Sequence, residues 1–441
     1  MISVEDLYAL YKKCTGITTD SRKIEEGVMF FALKGEKFDG NDFAEAALKA
    51  GAKYAVVDRF LLEGTSYRGR KCIVVENTLD MLQKLAAYHR KQFDIPVVGI
   101  TGTNGKTTTK ELVAAVLSRK FNLVATQANF NNHIGVPLTL FHLNEKTEMG
   151  VVEMGASAPG EIAGLVQIAQ PTCGLITCVG KAHLQGFGSF EGVKKAKGEL
   201  YDYLRQKGGM AFYNADNEYL CEMVGHRPGL RTHKYGVKFQ GVKVQPATAE
   251  EPFLKLELVY RGTPTTIATH LVGDYNADNV MAALCVGEYF DVPYADTVKA
   301  IESYVPSNSR SQLVKTGHNT LIIDAYNANP SSMRAALDNF ANTEFPAKTL
   351  MLGDMLELGE DSAIEHQAVL LRALEVADKV YLVGGEFGRV AARVTQKMDR
   401  MQCFPDIQAL KQYMMEHPVE GATILIKGSN GNHMQEVVPA L

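Results

Sequence analysis

The sequence predicts an α/β protein built from three units, and three observations carry that expectation. An apolar strand, Val97-Val98-Gly99-Ile100, runs into a glycine-rich turn and then a helix whose Leu112, Val113, Val116 and Leu117 share one face. Apolar strands then alternate with helical patterning through Gly150-Val151-Val152 and Leu175-Ile176-Thr177-Cys178-Val179, as in a parallel sheet covered on both faces. After Pro306 the alternation starts again, which predicts a second, doubly wound, Rossmann-like unit. At 441 residues the chain also exceeds one ordinary core.

Taken in order, residues 1–90 read as a small α/β domain with strands at Met29-Phe30-Phe31-Ala32-Leu33 and Tyr54-Ala55-Val56-Val57 and one amphipathic helix near Phe43 to Ala50. Residues 91–306 form the central unit around the strand-turn-helix. In residues 307–441 the strand Leu321-Ile322-Ile323 precedes Asn329, a plausible N-cap, with Pro330 at the first helical position. Strands at Thr349-Leu350-Met351-Leu352, Val380-Tyr381-Leu382-Val383 and Ile424-Leu425-Ile426 complete the pattern.

Composition narrows the function classes. Hydrophobic residues at 46% and charged residues at 22% exclude a disordered or collagenous chain. Lys and Arg total 46 against 50 Asp and Glu, so no basic field draws nucleic acid or an anionic membrane, and phosphate must be met by a local site. Seven scattered cysteines without a Cys-x-x-Cys pair fit a reducing compartment. Acidic residues at Glu5 and Asp6, and the lack of an apolar run near ~18 residues, predict a cytoplasmic protein without integral membrane contact.

The turn is Thr101-Gly102-Thr103-Asn104-Gly105-Lys106-Thr107-Thr108. Glycines between a buried strand and a helix let backbone N–H groups close on phosphate oxygens, and the helix dipole favours the anion. Lys106 is placed to reach the β and γ phosphates and Thr107 to put a hydroxyl on Mg2+. The spacing departs from G-x-x-x-x-G-K-T, because Ile100 stands where the first glycine belongs. Glu153 follows an apolar strand and is a candidate metal ligand, although a glutamate there also reads as a solvated or capping residue. His183 follows the next strand as a second candidate, with a structural histidine as the alternative. Lys197, in Lys194-Lys195-Ala196-Lys197-Gly198-Glu199, reads by itself as part of a solvated helix face.

With the loop, Glu153 and His183 assembled, the chain resembles the Mur ligase family, whose loop reads G-T-N-G-K-T/S. The resemblance covers nearly the full length, through Thr19-Asp20-Ser21-Arg22, Asn129-x-Asn131-Asn132-x-Ile134-Gly135-Val136-Pro137, Glu153-Met154-Gly155, Ala182-His183-Leu184, Ala196-Lys197-Gly198-Glu199, Tyr326-Asn327-Ala328-Asn329-Pro330 and Leu352-Gly353-Asp354-Met355-x-Glu357-Leu358-Gly359. It implies an ATP-dependent ligase acting through an acyl phosphate, with UDP-MurNAc-tripeptide and D-alanyl-D-alanine as small-molecule substrates; a monomeric chain is assumed and not implied by the resemblance. A relative that adds a single amino acid, and a folylpolyglutamate-like synthetase, share the loop and mechanism.

The resemblance further implies two Mg2+ ions on Thr107, Glu153, His183 and Lys197, with Lys197 carrying CO2 as a carbamate. Gly102 to Thr108 then hold the phosphates, Asn276 and Asn279 match the adenine-contacting segment, and Arg310 and Asp324 reach ATP from the linker and third unit. Ser21 and Arg22, whose alternative is a surface turn with a salt bridge, are implied to contact the UDP end. Asn131 and Asn132 are implied to lie on the substrate side. Tyr275, Ile323 and Asn430 depart from the family pattern, standing where relatives carry His, Asp and Arg.

Overall fold

A computed structural model describes residues 2–59, 71–260, 262–307, 309–395 and 398–441. Four sheets organise them. The first is wholly parallel, with β1 (Ile17–Thr18), β2 (Met29–Phe31), β3 (Tyr54–Val57) and β4 (Cys72–Val74) in sequential order. Three helices accompany it where the sequence suggested one: Val4–Tyr11, Ala44–Lys49 and Thr78–Arg90. The outer two pack their apolar faces, Leu7 with Leu82 and Leu85, on one side of the sheet.

The central sheet holds β5 (Val97–Thr101), β6 (Leu123–Ala125), β7 (Met149–Glu153), β8 (Cys173–Ile176), β9 (Met210–Asn214) and β10 (Arg231–Tyr235), in the order β10-β9-β8-β5-β7-β6 and parallel throughout. Its strands are apolar on both faces because both are covered. Val98, Ile100, Val151 and Leu175 pack against Leu112, Val113 and Val116 of helix Lys106–Leu117 and against helix Ala277–Tyr289. On the opposite face Val97, Val152 and Ile176 meet helices Glu161–Ala169 and Phe190–Lys207. The chain order reverses about β5, with β7 on one side and β8 on the other, so the carboxyl ends of these three strands open a crevice, the usual ligand position in such sheets.

One expectation needs correction here, and one sheet is additional to the expected parallel one. The strand read as Leu175 to Val179 ends at Ile176, because Thr177 turns away to bond the phosphate loop. The central unit is also not purely parallel. It carries an antiparallel sheet of β11 (Lys243–Gln245), β12 (Phe253–Tyr260) and β13 (Thr263–Val272). The signal was present: Leu254, Leu256 and Leu258 alternate with polar neighbours along β12, the period of a half-buried strand.

The last sheet comprises β14 (Gln312–Lys315), β15 (Thr320–Asp324), β16 (Lys348–Gly353), β17 (Lys379–Val383), β18 (Met401–Phe404) and β19 (Thr423–Lys427), ordered β14-β15-β19-β16-β17-β18. Only β14 runs antiparallel. Helices Pro330–Asn342 and Ser362–Val376 cover one face through Met333, Leu337, Leu370 and Leu374, and Ile407–Glu416 covers the other through Leu410 and Met414. Asn329 caps its helix with a full capping box and Pro330 occupies the first turn. No helix among the described residues is long and apolar enough to cross a membrane.

Candidate active site

The crevice at β5 is a cleft of about 730 Å³ lined from all three parallel or mostly parallel units: Gln83 from the first, the phosphate loop, Glu153 and His183 from the second, and Tyr326, Ser331 and Lys427 from the third. The loop's geometry explains its glycines. Gly102 has φ +146°, and a Cβ there would sit 2.0 Å from the Thr177 hydroxyl; Gly105 has φ +78°, and a Cβ would fall 2.6 Å from Oδ1 of Asn279. Gly105 is the N-cap of helix Lys106–Leu117, so the first turn presents its free N–H groups to the cleft. Thr103 bonds Gly180 through its hydroxyl, which accepts from the Gly180 N–H at 3.0 Å. Thr108 is buried beside Thr107 in the first helical turn and also lines the cleft.

Lys106 donates to the carbonyls of Gly102, at 2.7 Å, and Thr103, at 3.0 Å. Burial lowers its pKa, while Glu153 pulls it back up. Glu153 is 1% exposed, which excludes a solvated role. Its Oε2 accepts from Thr107 Oγ1 at 2.8 Å and its Oε1 from Asn131 Nδ2 at 2.7 Å. Asn131 therefore orients the carboxylate, while Asn132 is turned to its own chain, its Oδ1 accepting from the N–H groups of Ile134 and Gly135.

Lys197 overturns the solvated-face reading. It is 2% exposed, its Nζ donates to the Ala156 carbonyl at 3.2 Å, and it lies 5.2 Å from the Phe187 ring centroid. Burial first, and the Lys106 ammonium second, lower its pKa to about 7. His183 lines the cleft with left-handed backbone, φ +51°, and its Nδ1 meets Glu357 of the third unit. Among the described residues no three His, Cys, Asp or Glu side chains converge as a metal cage.

Asn276 and Asn279 line the cleft too, but their amides are engaged inside the protein. Asn279 Nδ2 donates to Asn276 Oδ1 at 2.8 Å, Asn279 Oδ1 accepts from Thr109 at 2.9 Å, and Asn276 Nδ2 donates to the Val272 carbonyl. They brace the loop helix against helix Ala277–Tyr289. Replacing Asn279 with alanine leaves Thr109 and Asn276 without these buried partners and is expected to lower stability by about 1–3 kcal/mol. A drop in the denaturation midpoint at constant m-value checks this. Tyr275 uses its hydroxyl on Ser311 at 3.0 Å.

Arg310 lies 3.6 Å from the Tyr326 ring centroid, and its buried Nε has no hydrogen-bond partner among the described residues. The guanidinium as a whole lines the cleft, where its positive charge suits an anion. Asp324 is bound to Lys427, 2% exposed, so these two opposite charges meet at the third unit's edge. Neither Thr177 nor Lys427 had been singled out; both follow or end buried strands of parallel sheets, which was the available signal. Ser21 and Arg22 lie apart from the cleft lining. Arg22 is paired with Asp20 and its side chain is 85% exposed, the geometry of a surface turn with a salt bridge.

Three family profiles match in sequence: the Mur ligase family catalytic domain over residues 13–90, the Mur ligase middle domain over 100–287, and the Mur ligase glutamate ligase domain over 309–430. The UDP-N-acetylmuramoyl-tripeptide--D-alanyl-D-alanine ligase of Bacillus subtilis (strain 168) is 35% identical over 435 residues, 97% of this chain and 93% of that protein. The chain belongs to the Mur ligase family. Solved Mur ligases share the arrangement. MurF from Acinetobacter baumannii superposes with a TM-score of 0.84 at 28% identity, over 96% of this chain and 92% of that one. MurF of Thermotoga maritima in complex with ADP gives 0.83 at 27%, over 96% of each chain.

Proposed function

We propose that this Mur ligase joins D-alanyl-D-alanine to UDP-N-acetylmuramoyl-tripeptide, coupled to cleavage of ATP to ADP and phosphate. One observation carries the reading beyond the relatives' names: the phosphate loop opens on a single cleft walled by all three units, so a nucleotide and two further substrates meet there. In this reading residues 1–90 bind the UDP end, with Ser21 and Arg22 facing it, residues 91–306 bind ATP, and residues 307–441 bind the dipeptide.

A carboxylate oxygen of the tripeptide attacks the γ phosphorus, the bond to the β-phosphate oxygen breaks, and ADP leaves. The amine of D-alanyl-D-alanine then attacks the acyl carbon, the C–O bond to phosphate breaks, and the nitrogen loses a proton. Two anions meet in the first step, so their repulsion must be offset by the cationic groups of the cleft, Lys106 and Arg310. Lys106 would reach the β and γ phosphates from the loop, and the Arg310 guanidinium, stacked on Tyr326 in the cleft wall, would add its positive charge beside the nucleotide. Asn104 bonds Asn329, whose Nδ2 donates to Asn104 Oδ1 at 2.7 Å, tying the loop to the third unit and shielding the acyl phosphate from water.

The donor set fits Mg2+. The Thr107 hydroxyl and Glu153 carboxylate stand 2.8 Å apart, the remaining protein donors are few, and Mg2+ characteristically keeps phosphate oxygens and waters as its other ligands. Thr107, Glu153, His183 and Lys197 would hold two such ions, which would offset charge on the transferring phosphoryl group. Lys197 would serve as a carbamate: its neutral amine nitrogen would bond the carbon of CO2 as one C–O π bond breaks onto oxygen and a proton leaves nitrogen, giving an oxygen donor in place of an ammonium that repels a cation. We assign the reaction to the cytoplasm because it consumes ATP, and a monomer suffices because one chain supplies every wall of the cleft.

Phosphate release from ATP should require UDP-MurNAc-tripeptide and D-alanyl-D-alanine together, with mass analysis showing the pentapeptide product. Release with UDP-MurNAc-dipeptide and a single amino acid in place of these two substrates would instead identify the ligase of the preceding step.

A further inference from the structure

The segment from Asp354 to Glu365 of the third unit, which ends in the first turn of helix Ser362–Val376, lies on the segment Gly180 to Phe187 of the second. Glu357 meets Nδ1 of His183, Lys181 donates to Glu365 at 2.9 Å, and a Cβ on Gly359 would lie 3.7 Å from Gln185 Cβ. Both residues of the first contact hold left-handed backbone without being glycine, His183 at φ +51° and Glu357 at φ +63°. Such conformations cost energy and persist where the surroundings enforce them. The loop that carries Glu357 is itself fixed. The Asp354 carboxylate accepts from the N–H groups of Glu386 and Phe387 at 2.9 Å, and fully buried His366 accepts from the Met355 N–H at 3.0 Å.

A carboxylate can only accept, so Nδ1 is the donor of this contact and Nε2 is the ring nitrogen left free of Glu357. A histidine that ligates a metal ordinarily donates its other N–H to such a group, which fixes the tautomer and ring orientation. The partner here comes from a different unit.

We infer that Glu357 is a positioning residue acting through His183, so that the His183 metal site is complete only when the third unit rests on the second. This rests on the proposed metal role of His183. Docking of the dipeptide-binding unit thereby conditions the metal site, and phosphoryl transfer is restrained until the acceptor's unit is in place.

The test counts Mn2+ bound per full-length chain by electron paramagnetic resonance, with a non-hydrolysable ATP analogue present. His183→Ala should lose one of two ions. Glu357→Ala should weaken that same ion about tenfold or more and leave the other unchanged, as loss of such orienting partners does. Glu357 is 58% exposed at its side chain, so unfolding temperature should not move. In the double variant the Glu357 substitution should add nothing. Loss in His183→Ala with unchanged binding in Glu357→Ala overturns the inference alone; unchanged binding in His183→Ala removes the metal role of His183 and the inference with it.

Discussion

Lys106→Ala is expected to lower kcat by on the order of 10²-fold to 10³-fold, the usual effect of removing a preorganised group that meets developing charge. The reason is local. Helix Lys106–Leu117 begins at the residue itself, and its Nζ is held between two loop carbonyls, 2.7 Å and 3.0 Å away, before any nucleotide arrives. Reorganisation at the moment of reaction is therefore small. Lys106→Arg should recover little, because a planar guanidinium cannot occupy a pocket shaped for a compact ammonium on a loop this tight. Phosphate release at saturating ATP and both peptide substrates measures the effect; a loss below about tenfold would show that the charge is supplied elsewhere.

A comparable loss, on the order of 10²-fold or more, is expected for Lys197→Ala and equally for Lys197→Arg, since neither side chain forms the carbamate. The chemistry requires a neutral amine, and burial assisted by Lys106 has lowered the pKa of Lys197 to about 7. The sign follows directly. Below pH 7 the amine is protonated and unreactive toward CO2, so carbamate occupancy should rise as pH climbs from 6 to 8, at fixed dissolved CO2. Once formed, the anion also converts repulsion from the Lys106 ammonium into attraction. A carbon-13 carbamate resonance from labelled bicarbonate, present in the parent and absent in both variants, reads this without turnover. Full activity in Lys197→Arg would dismiss the modification.

Much of the fold was legible in the sequence because its signals are local. Val97 to Thr101 is a strand because every position is apolar or small and both faces are buried, and Asn329-Pro330 starts a helix because capping chemistry needs only neighbours. The phosphate loop was legible for the same reason, its glycines being dictated by backbone angles at Gly102 and Gly105. The alternation of β12 and β13 was equally local and was overlooked among stronger apolar runs.

Other properties depended on what lies across the fold. Lys197 reads as a solvated helix residue among Lys194, Lys195 and Glu199, yet it is buried over Phe187, since that face of helix Phe190–Lys207 packs against Phe187 through Val193 and Ala196. Asn276 and Asn279 match an adenine-contacting segment by resemblance, yet their amides pair with each other and with Thr109, 170 residues away from Asn279. The meeting of His183 with Glu357, 174 residues apart, has no trace in spacing at all. The sequence by itself determined the strands, caps and phosphate loop, whose causes lie within a few residues of each other. Only the tertiary structure decided which charges are desolvated and which partners they face, because burial and Coulomb interactions depend on distance in space rather than along the chain.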